Sequence, residues 1–208
     1  MTHALALQPH DLLWGMALSA LPADAPAWVV DAVALDHPVV VRRALAPRGQ
    51  VAVGVRGRDR EQRYAAMMPR VDIRRCLRPE QLTCIESERD WPALRALRQI
   101  RPLMDLVGLP WGVAGSAGFE LASGVAALHE NSDLDLILRT QSFVSRSWAA
   151  ELVQVLDRSE CRIDVQLQTP AGAVALREWA GHSRQVLLKA EQGAWLVNQP
   201  WPLTEASA

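Results

Sequence analysis

A chain of 208 residues that is 50% hydrophobic and 22% charged can bury a sizeable core, as one large domain or two small ones. That composition argues against disordered, collagen-like and disulfide-scaffold proteins, and no apolar run reaches the roughly 18 residues of a membrane helix. The net charge of −1 hides two opposed regions. Arg42 to Arg78 holds eleven arginines against Asp59, Glu61 and Asp72, a formal +8, whereas residues 101–208 hold eight cations and twelve acids, a formal −4. The first region suits anions. With Tyr64 as its only aromatic, it offers no stacking platform for single strands, so nucleic acid is not the favoured partner.

The opening "MTHALALQPHDLLWG" lacks the basic and long apolar regions of a secretory signal, and Cys76, Cys84 and Cys161 form no CxxC pair. Free thiols in a reducing compartment are expected, with the cytoplasm as the address and no membrane association. "DAPAWVVDAVALD" (24–36) predicts a helix, with Asp24 as N-cap and Pro26 in the first turn. "PVVVRRAL" and "QVAVGVRG" predict two strands joined by the turn Ala46-Pro47-Arg48-Gly49, which places Arg42, Arg43 and Arg56 at strand ends. "DREQRYAAMM" (59–68) predicts a short helix and "VDIRRCL" another strand.

"DWPALRALRQIRPLMDLVGLP" predicts a helix capped by Asp90, with Pro92 in its first turn and Pro102 interrupting its apolar stripe. It joins the halves, so a basic α+β domain over 1–85 and a second domain over 86–208 are expected. Beyond it come a strand at "WGVAGS", a helix at "AGFELASG", a strand at "SDLDLILR", a helix at "VSRSWAAELVQVLDRSE" and a strand at "CRIDVQLQT". That alternation implies an α/β (α+β) layer with part of its sheet buried.

In an extended strand Asp133 and Asp135 share a face, with Cα atoms about 6.6–6.8 Å apart, while Leu134 and Leu136 point into the core. Two such carboxylates repel unless a cation lies between them. Magnesium meets that need with one or two carboxylates plus substrate phosphates, which points towards phosphate chemistry. Alternation alone equally permits an edge strand with an acidic solvent face. Gly115-Ser116 supplies a turn before a helix, where backbone N–H groups and a hydroxyl meet an anion. Asp164 stands in an otherwise apolar strand, where it needs either a salt bridge or a share in a metal site.

The ordered set Gly115-Ser116, Asp133, Asp135 and Asp164 resembles the nucleotidyltransferase superfamily, which binds a nucleoside-triphosphate-like donor with magnesium. Read together with "PVVVRRAL", "VGVRGRDREQRYAA", "RIDVQLQTPAGAVALREWA" and "VLLKAEQGAWL", the whole chain is similar to the malonate decarboxylase holo-[acyl-carrier-protein] synthase family of phosphoribosyl-dephospho-CoA transferases. The resemblance implies transfer of that group from a triphosphoribosyl-dephospho-CoA donor to a serine of the malonate decarboxylase acyl carrier protein, with release of pyrophosphate. It implies a nucleotidyltransferase-like mixed sheet in which Asp133, Asp135 and Asp164 hold two magnesium ions, Asp164 also being a candidate proton acceptor. Gly115 and Ser116 would hold the leaving phosphates. Arg42, Arg43, Arg56 and Arg58 are candidate contacts to donor phosphates or the carrier. Lys189, the single lysine, suits either a phosphate contact or a solvated surface. The chain departs from the family picture at Val165-Gln166, where a Gly-Glu pair is expected. The open alternatives are an adenylyl-transferring relative and a non-catalytic nucleic-acid- or protein-binding module.

Overall fold

The structure, a computed structural model, describes residues 6–58 and 61–202. Its elements form an α+β arrangement around two sheets. The first contains β1 (Leu12–Trp14), β2 (Val39–Val41), β3 (Gln50–Arg56), β4 (Arg63–Pro69) and β5 (Arg75–Leu77), in the order β4-β3-β2-β1-β5 with antiparallel pairs. Alternation divides its side chains between two cores. Leu13, Val39, Val41, Val53 and Met68 pack with Val29 and Val33 of α1 (Ala27–Ala34), whereas Leu12, Trp14, Val40 and Leu77 join the core of the second half.

The helix expected over 59–68 is replaced by a strand. Asp59 and Arg60 lie outside the described residues, and Arg63–Pro69 pairs with β3 along its whole length, from Arg56↔Arg63 to Gln50↔Pro69. Ala65, Ala66, Met67 and Met68 are good helix formers, but pairing with the β-branched β3 and burial of Met68 override that weak preference. Two caps also differ. Pro26 occupies the N-cap of α1, and Trp91 that of α2 (Pro92–Leu106). Asp90 instead meets Arg95 at 3.0 Å and Arg98 at 3.1 Å. Pro92 opens α2, where its missing N–H costs no helical bond, and Pro102 is accommodated inside it.

The second sheet is mixed. It contains β6 (Trp111–Val113), β7 (Leu134–Arg139), β8 (Ile163–Thr169), β9 (Gly172–Ala175), β10 (Val186–Ala190) and β11 (Gly193–Val197), in the order β11-β10-β9-β8-β7-β6. Only β7 and β8 run parallel, and α4 (Arg146–Leu156) supplies the crossover such a pair needs. Leu134, Leu136, Leu138, Ile163, Val165 and Leu167 enter the core on one face. The same period leaves Asp135, Asp164, Gln166 and Gln168 on the opposite face. Among the described residues, no helix is long and apolar enough to cross a membrane.

Candidate active site

The site begins where β6 runs into α3 (Gly115–Ser123). Gly115 opens that helix at φ 58°, in the left-handed region where a side chain is strained. A Cβ there would stand 1.8 Å from Asp135 Oδ2, so the turn is glycine because the Asp135 carboxylate lies against it. Ala114 N–H donates to the Asp135 carbonyl at 2.9 Å, tying the turn to β7. Gly115→Ala is therefore expected to cost about 1–2 kcal/mol from the φ angle alone. By displacing Asp135 it should also slow turnover about 100-fold. Thermal melts and initial rates on the same preparation read the two effects separately.

Asp133 immediately precedes β7 and Asp135 lies within it, both half-buried. Asp164 is the register partner of Asp135 on β8, so the two side chains emerge on the same face. The three carboxylates do not gather into one cluster. Among the described residues no group of three or more His, Cys, Asp or Glu side chains is placed to hold a metal ion. The Asp164 carboxylate instead accepts from Arg162 Nε at 2.9 Å and lies 3.7 Å from Arg177 Nε, so guanidinium groups balance its charge. Asp164 thus takes part in a salt bridge. Asp133 and Asp135 are the two carboxylates that could hold magnesium, an ion that commonly takes one or two carboxylates and completes its shell with substrate oxygens and water.

The four candidate arginines separate. Arg56, at the end of β3 and 6% exposed, crosses to the second half, where its Nη2 donates to Ser116 Oγ at 2.6 Å and to the Ala127 carbonyl at 3.3 Å. Its guanidinium lies 5.4 Å from the Phe119 ring centroid. Arg58 lines, with Arg56, Ser116, His129 and Asp133, a polar chamber of about 240 Å³. Arg43 bonds to the Gln168 side chain on β8, fastening the sheets together. Arg42 lines a separate, more apolar cleft. Lys189 is an exposed residue of β10, opposite Ala173 and Ala194.

The model of the phosphoribosyl-dephospho-CoA transferase MdcG N-terminal domain matches residues 8–79, and that of the C-terminal domain matches residues 79–200. The chain belongs to the MdcG family. A relative from Pseudomonas syringae pv. tomato, named phosphoribosyl-dephospho-CoA transferase, is 62% identical over 207 residues, spanning 99% of this chain and 98% of its own. Relatives of the same name from Pseudomonas aeruginosa and Azotobacter vinelandii are each 54% identical, covering 97% and 93% of this chain and 97% and 94% of their own. No solved structure matches the chain significantly.

Two residues of this MdcG-family site carry no motif that marks them in the sequence. Glu120 of α3 is buried, accepts from the N–H groups of Ala127 and Leu128 at 2.7 and 2.8 Å, and pairs with Arg89 at 3.0 Å. It thereby holds the segment that runs from α3 towards Asp133. Glu120→Ala leaves those donors and Arg89 without their acceptor, and a loss of about 2–4 kcal/mol is expected in denaturant unfolding.

His10 precedes β1 at φ 76°, a strained angle for a non-glycine residue, and lines the apolar cleft beside Gly115. Burial, then the charges of Arg43, Arg139 and Lys189, lower its pKa from 6.5 to about 4, against a hydrogen bond with Gln166 that raises it. It is uncharged at neutral pH. The unfolded chain binds a proton here that the folded chain refuses, so the stability from a neutral His10 is full above pH 6.5 and is lost as pH falls towards about 4. Between pH 7 and 5, denaturant titrations should show wild type losing more stability than His10→Gln.

Proposed function

We propose that this protein transfers the phosphoribosyl-dephospho-CoA group from triphosphoribosyl-dephospho-CoA to a serine of the malonate decarboxylase acyl carrier protein, releasing pyrophosphate. One observation carries the reading beyond family membership. Arg56, from the basic half, hydrogen-bonds Ser116 on the turn whose Gly115 abuts Asp135 in the acidic half. Both matched domains thus contribute to one site of opposed charges, as a reaction between a polyanion and a hydroxyl requires.

The serine oxygen forms a bond to the donor's α-phosphorus while the bond from that phosphorus to the bridging oxygen breaks, and pyrophosphate departs in line. Alignment and charge neutralisation dominate such a barrier. Ser116 Oγ, backbone N–H groups at the α3 start, Arg56 and Arg58 would receive the triphosphate. Asp133 and Asp135 would hold magnesium, which when bound neutralises phosphate charge and makes the serine hydroxyl more acidic. Asp164, on the same face as Asp135, would take the hydroxyl proton, with Arg162 and Arg177 keeping its carboxylate in place.

Pyrophosphate release tests the reading. With wild-type carrier and the triphosphoribosyl donor, one pyrophosphate should appear per modified carrier, and none with a carrier whose acceptor serine is alanine. Release with ATP, but not with that donor, would favour adenylyl transfer instead.

A further inference from the structure

The triphosphate occupies only one end of such a donor, and the structure holds a second compartment directly beside the first. Arg56 is a wall shared by the polar chamber at Ser116 and a cleft of about 370 Å³ on its other side. That volume lies in the range of small-molecule sites, about 300–1,000 Å³. The two compartments differ in chemistry. Leu12, Val40, Val113 and Phe119 help line the cleft, so it suits a largely apolar group better than a phosphate chain.

Its shape is set by small residues. Gly54 and Ala65, directly paired between β3 and β4, line it together with Ala114, Gly115 and Gly118. A Cβ on Gly118 would stand 2.6 Å from the Val113 carbonyl oxygen, and one on Gly115 would strike Asp135, so packing keeps those two positions without side chains. At Gly54 the Arg42 stem lies alongside, its Cδ 3.6 Å from where a Cβ would be. The Arg42 guanidinium is exposed, and no hydrogen bond or ion pair engages it among the described residues. An apolar cleft with glycine and alanine positions in its lining and an exposed guanidinium at its edge fits a planar heteroaromatic ring, because guanidinium planes stack on such rings. His10, at the same cleft, adds a polar group for a ring edge.

We infer that this cleft receives the adenine ring of the donor's dephospho-CoA moiety, stacked against Arg42. The inference rests on the transferase reading for the identity of the donor. A flexible pantetheine arm would have no use for a stacking partner.

The test is isothermal titration of the full chain with dephospho-CoA, AMP, 4′-phosphopantetheine and inorganic tripolyphosphate. Ala65 is exposed, so Ala65→Trp places a ring in the cleft without entering the core. This variant should weaken dephospho-CoA and AMP at least about tenfold and leave tripolyphosphate unchanged, and Arg42→Ala should weaken AMP about tenfold, the scale of one lost base-stacking contact. Should Ala65→Trp fail to fold, the exposed Arg42→Ala decides alone. Unchanged AMP affinity in the folded variants would overturn the inference. So would absence of AMP and dephospho-CoA binding to wild type, or loss of phosphopantetheine or tripolyphosphate in place of AMP. Failure of the transferase reading looks different: wild type then binds AMP with this dependence but modifies no carrier.

Discussion

Asp135→Asn is expected to remove about 100- to 1,000-fold of the transfer rate while leaving the fold in place. The side chain is half-buried on the polar face of β7, and its neighbours Leu134 and Leu136 carry the packing at 0% and 1% exposure. Asparagine keeps the volume beside Gly115 and alters only the charge. Loss of one anionic ligand weakens any cation held with Asp133, and with it the neutralisation of the donor phosphates. Raising the magnesium concentration should recover part of the rate in Asp135→Asn and none in Asp135→Ala, which keeps no side-chain oxygen at that position. Initial rates across a magnesium series, with melting temperatures alongside, measure both claims. An unchanged rate at low magnesium would remove Asp135 from the mechanism.

Arg56→Ala is expected to damage both stability and turnover. The side chain is buried and its guanidinium engages Ser116, the Ala127 carbonyl and the face of Phe119 together. Removing it opens a void between the two halves and takes the donor from Ser116 Oγ, at a cost of about 2–4 kcal/mol. Arg56→Lys separates the two roles. Its ammonium keeps the charge but not the planar fork that reaches several partners at once, so stability should recover more than activity. We expect kcat/KM for the donor to stay about 100-fold down in Arg56→Lys, a loss like that of an oxyanion-binding donor. Steady-state kinetics against donor concentration, with denaturant unfolding of both variants, would show it. Parallel recovery of rate and stability would make Arg56 purely structural.

The second half was legible because its signals are local. Alternation in "SDLDLILR" and "CRIDVQLQT" marks which residues enter the core, and "WGVAGS" marks the turn that packs on Asp135. The parallel register that sets Asp135 beside Asp164 depends on pairing across an intervening helix, and no spacing states it. Arg162, two residues before Asp164, was within reach of the alternation argument as a partner. Arg177 comes from α5 (Leu176–Ala180) and was not.

The basic half was harder to read. β4 is written in helix-forming residues and owes its conformation to β3, so local preference pointed the wrong way. The fates of Arg42, Arg43, Arg56 and Arg58 follow from which strand faces turn towards the second sheet. That is a property of how the halves dock, which clustering of charge in the sequence does not specify.

The central claim is that one site, built by Arg56 from the first sheet and by Ser116, Asp133 and Asp135 from the second half, loads the carrier. Intact mass of the purified malonate decarboxylase carrier protein tests it most directly, after incubation with triphosphoribosyl-dephospho-CoA, magnesium and either wild type or Asp135→Asn. The expected result is a gain of one phosphoribosyl-dephospho-CoA group with wild type and unmodified carrier with the variant over the same interval. Equal modification by both proteins, or no modification by wild type, would contradict the account.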